Sequence, residues 1–404
     1  MSLIDSSVSR SIAIVGRNFR ITCYKQDRRP YNIKRRKMKK YTFLLILTVI
    51  ISSCKTEERA TPTVELADYS GDYVLQLNEL MTDISVVKLS TSDSTLVPEG
   101  YDIHMGKRYI LILSNGSVLQ FDKNGNFIRK LAKKGNGPGE ISYIASFDVN
   151  DEESRLFIHS ANKRGFLLVY DLHTGEVLPR IKLPDNRLVG FIYAGDHILW
   201  WGGLNWNEPP QDFRELYTMS FDGEPIAINT KTDLKENKLL GRPTYSWRVN
   251  GIVYYLDNLC DTIFTIDGVI KSAFCFLKYD DVYHMDTNPK GKTVWLDILS
   301  ENKFKLMVKY GGKEFLWNPK VNTLKNLKGY YNDFFKMEVE DLEFESREDV
   351  GFIKYQAIDF KYMLAKSLEN RDLGSKKRKQ LEELDEEISE EDNPIILVGR
   401  VKDR

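Results

Sequence analysis

The chain has 404 residues, 42% hydrophobic and 12% aromatic, with 58 basic and 58 acidic side chains that cancel to zero net charge. The cancellation hides an asymmetry: residues 1–40 hold 12 Lys and Arg against Asp5 and Asp27, 41–54 carry no charge, and 55–404 are left at −10. Such a composition supports a sizeable core and excludes a disordered, collagen-like, coiled-coil or multi-span membrane chain, and an acidic body excludes a nucleic-acid binder, which needs clustered Lys and Arg.

Residues 34–40 read Lys-Arg-Arg-Lys-Met-Lys-Lys, an apolar run of 11 residues follows, and Ser52-Ser53-Cys54 close the segment. A cationic head, a short apolar stretch and a small-residue exit are the three parts of a secretory signal. A spanning helix needs ~20 apolar residues, so this run does not make a permanent anchor. Ile51-Ser52-Ser53-Cys54 resembles a bacterial lipobox, which implies a signal over 38–53 and a lipidated, N-terminal Cys54. The plainer reading is cleavage nearby without lipid. Met38 is a better start than Met1, so 1–37, including Cys23, read as a spurious or disordered extension. Lys55-Thr56-Glu57-Glu58 looks like an export tag of surface-exposed Gram-negative lipoproteins, and 54–68 read as a polar tether. These features predict a protein held to the bacterial membrane through Cys54, on its periplasmic or surface side.

From residue 69 to 404 the sequence repeats. An apolar residue, then Asp, then Gly recurs as Phe121-Asp122…Gly125, Tyr170-Asp171…Gly175, Phe221-Asp222-Gly223 and Ile266-Asp267-Gly268, with Asp spacings of 49, 51 and 45. Tyr310-Gly311-Gly312 falls where a fifth copy should, and Ile358-Asp359 near a sixth. Asp bonds the local backbone and Gly accepts positive φ, so each copy reads as a tight turn. Around the turns, runs such as 108–113, 118–121 and 127–131 alternate with period two, and 156–158, 166–170 and 177–183 repeat the scheme. Short strands in units of this length predict propeller blades, whereas a sandwich shows no long-range period.

Residues 362–392 break the strand pattern, with a helix expected over about 375–389. Leu381, Leu384 and Ile388 fall on one helical face, Ser375 could cap it, and basic residues lead while acidic ones follow, against the helix dipole. Subtracting this helix leaves six blades. The isolated apolar strand 394–401 is expected to close the ring on 83–89, which removes two open sheet edges. The predicted fold is all-β: a six-bladed β-propeller with four-stranded antiparallel blades and a short C-terminal helix.

Phe121-Asp122-Lys123-Asn124-Gly125-Asn126-Phe127-Ile128, then Gly135-Asn136-Gly137-Pro138-Gly139-Glu140, resemble the secreted six-bladed beta-propeller bacterial lipoproteins. The likeness is strong over 101–185, weaker after it, and returns at Asp392-Asn393-Pro394-Ile395-Ile396-Leu397. Lys133-Lys134 stand where the family more usually has Ile-Gly. The resemblance implies a fold and a compartment, and carries no catalytic residues.

Candidate chemistry is sparse. The glycine-rich 135–140 lacks Gly-Lys-Ser/Thr, so it reads as a connection between blades and not a phosphate loop. His104, His159, His173, His197 and His284 show no metal spacing, so no metal or cofactor is predicted, and no nucleophile elbow appears. Trp200, Trp201, Asn205 and Trp206, beside Gly202-Gly203, suit stacking on a sugar or peptide, although Trp200 or Trp201 could equally pack between blades. A two-residue turn at Asp267-Gly268 would set Cys260 opposite Cys275, as a disulfide or as two buried thiols. The reading is a ligand-binding or scaffolding module, more a binder than an enzyme, for a glycan, a peptide or an envelope protein taken at one end of the channel. The alternative is a hydrolase or lyase acting on sugars or peptides at the channel mouth. Three or more His, Asp, Glu or Arg converging there would favour the enzyme, and a neutral, apolar mouth the binder.

Overall fold

Short alternating strands joined by tight turns bury one face only when hairpins pack on hairpins, and here they do so in a ring. The computed structural model describes residues 61–402, except 98–99, 115, 138–139, 161–164, 184–187, 203–212, 232–243, 250, 258–261, 268–269, 279–293, 309–312 and 348. Six small sheets form a six-bladed propeller. Blade one holds Asp102–Met105, Tyr109–Ser114, Ser117–Asp122 and Phe127–Lys134. Blade two holds Ile144–Val149, Arg155–Ser160, Phe166–Asp171 and Val177–Lys182. Blade three holds Leu188–Tyr193, Ile198–Gly202, Phe213–Met219 and Pro225–Lys231. Blade four holds Thr244–Val249, Ile252–Asp257, Thr262–Asp267 and Ile270–Lys278. Blade five holds Val294–Ser300, Lys303–Val308, Lys313–Asn318 and Thr323–Asn332. Blade six holds Phe344–Arg347, Val350–Tyr355, Ile395–Val401 and, from the other end of the chain, Met81–Lys88.

The core is divided accordingly. Six hydrophobic clusters each fill one interface between neighbouring blades, the largest of them between blades five and six. Neighbouring blades are therefore held mainly by apolar burial, at about 25 cal/mol per Å² of apolar surface.

The ring closes as the sequence predicts. Ile395 pairs with Lys88, Leu397 with Val86 and Val401 with Met81, antiparallel. Asn393, 2% exposed, fastens the corner: its Oδ1 accepts the Val97 amide, and its Nδ2 donates to the carbonyls of Ser90 and Thr95. Asp392 beside it pairs with Lys88 at 2.8 Å.

The repeat turns join third to fourth strands. In blade one, Asp122 Oδ1 accepts the amides of Asn124 and Asn126 at 2.8 and 2.9 Å. In blade three the acceptor is Ser220, not Asp222, so the copies there are 49 residues from Asp171, the same step as Asp122 to Asp171. Tyr310-Gly311-Gly312, the expected fifth copy, lie outside the described residues; blade five has its own third-to-fourth-strand turn. It is the turn from Asn318 to Thr323, where Asn318 Oδ1 accepts two amides and Asn322 takes φ +49° in place of glycine. Gly125 and Gly223 have φ near +86°, and each sits against the outer strand of the preceding blade.

Three sequence readings change. Ile358-Asp359 is not a repeat turn but belongs to a helix, Ala357–Leu368, inserted with a second helix, Ser375–Glu387, between the second and third strands of blade six. Gly374, not Ser375, occupies the N-cap of the second helix. Its reversed charge serves its neighbour: Arg378 donates to the carbonyls of Leu368 and Asn370 at the first helix's C-terminus, and Lys361 pairs with Asp385 at 2.6 Å. The expected tether is shorter than 54–68, because Thr63–Glu65 adds to blade four in parallel with Phe276–Lys278, burying Val64. Asp72–Gln76 then adds to blade five in the same way.

Gly195→Ala is expected to cost about 1–2 kcal/mol, the left-handed penalty alone, because nothing lies within 4 Å of its new Cβ. Gly125→Ala is expected to cost clearly more, because its Cβ would stand 2.1 Å from the Lys88 carbonyl oxygen and push two blades apart. Urea unfolding of both variants beside wild type measures the difference. Equal losses would mean that the blade contact places no constraint on Gly125.

Candidate functional site

The first strand of every blade lines the axis, and near their C-terminal ends these strands enclose a cavity of about 320 Å³. Its wall mixes Met105, Phe147, Phe191 and Phe352 with His104, Asp148, Arg248 and Arg347. A smaller void of about 20 Å³ shares His104, Arg248 and Arg347 with it.

Asp148, in blade two, is the hub. Its Oδ2 accepts the Tyr193 amide of blade three at 2.7 Å, and its Oδ1 accepts its neighbour's amide at Val149 and the Arg347 guanidinium of blade six. Arg347 Nη2 also donates to the Val149 carbonyl at 3.1 Å. Arg248 reaches over from blade four, donating from Nη1 to the Tyr193 carbonyl at 2.9 Å and from Nη2 to the Val149 carbonyl at 3.4 Å. It also pairs with Asp151 at 3.0 Å. Burial by itself would raise the Asp148 carboxyl, but Arg347, Arg248 and the donated hydrogen bonds outweigh it and hold the pKa below 3.8. Glu345 stands apart, paired with Lys354 at 3.0 Å and half exposed.

His104 is 4% exposed, and neither ring nitrogen has a hydrogen-bond partner among the described residues. Burial first, then Arg347 and Arg248, push its pKa well below the ordinary imidazole value, so the ring is neutral near pH 7. An unsatisfied buried polar group costs about 1–3 kcal/mol, and one at the wall of a cavity asks for an explanation.

The residues singled out by sequence fall elsewhere. Trp200 is fully buried between blades two and three, 4.7 Å from the Phe191 ring and 5.3 Å from His159, and so belongs to the core. Trp201 lies in the same strand opposite Gly190 and Leu216. Asn205, Trp206, Cys54, Cys260 and His284 lie outside the described residues. The expected register at Cys275 is corrected: Asp267 pairs with Ile270, and a bulge after Ile263 sets Cys275 opposite Ile263, not Cys260. Cys275 is a free, buried thiol. The connection 135–140 does run from blade one to blade two, with Glu140 accepting the Gly137 amide at 2.9 Å and occupying the space a Cβ on Gly135 would need. Among the described residues no group of three or more His, Cys, Asp or Glu is placed to hold a metal, and no helix is long and apolar enough to cross a membrane.

Sequence reasoning missed the axial groups. A signal existed: His104, Asp148, Arg248 and Arg347 each stand one or two repeat lengths from the next. Phasing the blades on their first strands instead of their turns would have aligned them.

Residues 61–400 match the family described as a domain of unknown function, DUF4934. The chain belongs to that family. No curated protein matches it. Among solved structures it resembles a candidate exported protein of Bacteroides fragilis, at 18% identity and a TM-score of 0.59, covering 82% of this chain and all of that one. It also resembles a member of the DUF4221 family from Bacteroides vulgatus, at 11% identity and a TM-score of 0.46, over 80% of this chain and 98% of that one. At these identities the first likeness shows the fold alone.

Two outcomes follow from the geometry. Asp148→Asn is expected to cost about 3–5 kcal/mol near pH 7, because two guanidiniums lose their buried counter-charge. Since the folded pKa of Asp148 is depressed, its contribution is present above about pH 4 and fades as pH falls through the folded value. Unfolding free energies measured from about pH 7 to pH 3 should therefore converge between variant and wild type; a gap that stays constant would contradict this pairing. Burial pushes the Cys275 thiol up to about 12, so it should resist thiol reagents while folded. Wild type and Cys275→Ser should label equally when native and differ by one thiol in denaturant.

Proposed function

We propose that this chain is a lipid-anchored propeller of the bacterial cell envelope that binds a small ligand in its axial channel. The observation that carries the reading is the cavity of about 320 Å³ to which all six blades contribute, with His104, Asp148, Arg248 and Arg347 set among apolar side chains in a wall that is nearly half polar. That volume falls within the ~300–1,000 Å³ of small-molecule sites. The basic head, apolar run and lipobox-like 51–54 support export and lipid on Cys54. The B. fragilis neighbour, described as exported, is consistent with that compartment. A glycan or a peptide end is the ligand class that fits an envelope protein of this kind, and the loop carrying Asn205 and Trp206 remains a second candidate contact.

The convergence of His104, Asp148, Arg248, Glu345 and Arg347 favours a second reading, a hydrolase or lyase at the same site. It is the weaker one. Both oxygens of Asp148 are engaged and its pKa is depressed, so it is a poor general base. His104, neutral and with neither ring nitrogen engaged among the described residues, is the group this reading would use.

Labelling cells with an alkyne fatty acid should mark wild type and leave Cys54→Ala unmarked; equal labelling would remove the anchor. In an unbiased glycan and peptide screen on the full chain, Ser246→Phe adds a ring to the cavity wall. It should weaken any hit by about tenfold or more, equivalent to about 1.4 kcal/mol, with little change in melting temperature. A hit that Ser246→Phe leaves intact would move the site away from the axis. Product formation from a bound ligand, lost in His104→Ala while binding persists, would establish the enzyme.

A further inference from the structure

The unspent hydrogen-bonding capacity of the axial cavity is one-sided. Asp148, the buried carboxylate, already accepts three donors on its two oxygens. Glu345 is taken up by Lys354, and Asp151 by Arg248. On the donor side, the hydrogen bonds that Arg347 makes among the described residues all leave from Nη2, so Nη1 and Nε keep their protons available. Those of Arg248 leave from its two terminal nitrogens, which spares Nε. His104 adds one N–H and one acceptor nitrogen, neither of them spent.

From this imbalance we infer that the cavity takes a small organic acid, its carboxylate held by the free edge of Arg347 with His104 donating beside it. The inference rests on the axial channel being the ligand site and adds the chemical class. A cationic ligand would stand beside two guanidiniums, with Asp148 already engaged by three donors. A neutral ligand would leave guanidinium protons unanswered, which costs about 1–3 kcal/mol per buried group. The planar fork of arginine matches a carboxylate in two parallel bonds, whereas a point charge does not. The size limits the acid: about 320 Å³ is the liquid volume of roughly ten waters at ~30 Å³ each, enough for a uronic acid or the last residue or two of a peptide. Phe147, Phe191 and Trp247 in the wall supply flat apolar surface for a sugar or peptide body.

The test uses the detergent-solubilised full chain and matched pairs by calorimetry: glucuronate against glucuronamide, galacturonate against galactose, and acetylated dipeptides with free against amidated C-termini. At least one acid should bind, about tenfold or more tighter than its neutral partner, the weight of a hydrogen bond to a charged group. Arg347→Lys keeps the charge beside Asp148 but removes the fork, and should erase that preference. If the lysine variant fails to fold, the pair Asp148→Asn with Arg347→Gln removes both charges together and should erase it too. Acids and neutral partners binding alike, with both lost in Ser246→Phe, would overturn the acid while leaving the channel as the site. No acid binding, or an acid preference that survives both Arg347 changes, would overturn the inference outright. Binding that survives Ser246→Phe would overturn the channel reading itself.

Discussion

Everything at the axis depends on one pairing, that of Met81–Lys88 with Ile395–Val401. A propeller blade is stable only between two neighbours, because each sheet presents apolar side chains on both faces. Without that pairing, blade six would have three strands and an open edge. The corner at Asp392 and Asn393 shows how closely the junction is specified. One buried amide satisfies two carbonyls and one N–H of the 90–97 loop, groups that would otherwise be buried without partners. The register is further pinned where Gly399 lets the Thr82 carbonyl approach to a distance no Cβ would allow.

With the ring closed, the first strands of blades two, three, four and six come within reach of one another across the axis, and the polar network there follows. Arg248 and Arg347 leave different blades and meet the same dipeptide, Asp148-Val149. Two cations beside one buried carboxylate are tolerable because Asp151 and the backbone carbonyls of Tyr193 and Val149 take up several of their protons. The arrangement ties four blades through polar bonds where the interfaces between adjacent blades are apolar. It also fixes the two guanidiniums in place, so that any group entering the cavity meets donors already oriented, at little entropic cost.

Much of this was legible in the sequence, and what escaped has identifiable causes. The closing strand was readable because a lone apolar run with no local partner must pair with something distant. The turns were readable through Asp and Gly, but their phase slipped in blade three, where serine does the work of aspartate, and in blade five, where two asparagines replace both residues. The first helix was missed because Ile358-Asp359 mimics the repeat and Gln356 makes no side-chain cap, although Ala357, Phe360 and Leu364 keep helical spacing on its buried face. Thr63–Glu65 and Asp72–Gln76 were missed because each buries a single side chain fully, too little to show a period. The axial charges were invisible as a group, since nothing local relates residues that only the ring brings together.

The position of the closing strand bears on how the molecule is made. Ser85 and Val398, opposed in blade six, are 313 residues apart, so a strand made early waits for one made late. Chain-closure entropy grows only logarithmically, about 0.6 kcal/mol per doubling of length, and the finished fold loses little by it. The rate is another matter, because topologies dominated by such distant contacts fold slowly. Until Ile395–Val401 arrives, Met81–Lys88 is a bare strand with its ladder hydrogen bonds unmade, the kind of edge on which chains aggregate. Polar and charged residues at Thr82, Asp83, Ser85 and Lys88 interrupt that segment, and they blunt its stickiness through the interval before its partner arrives.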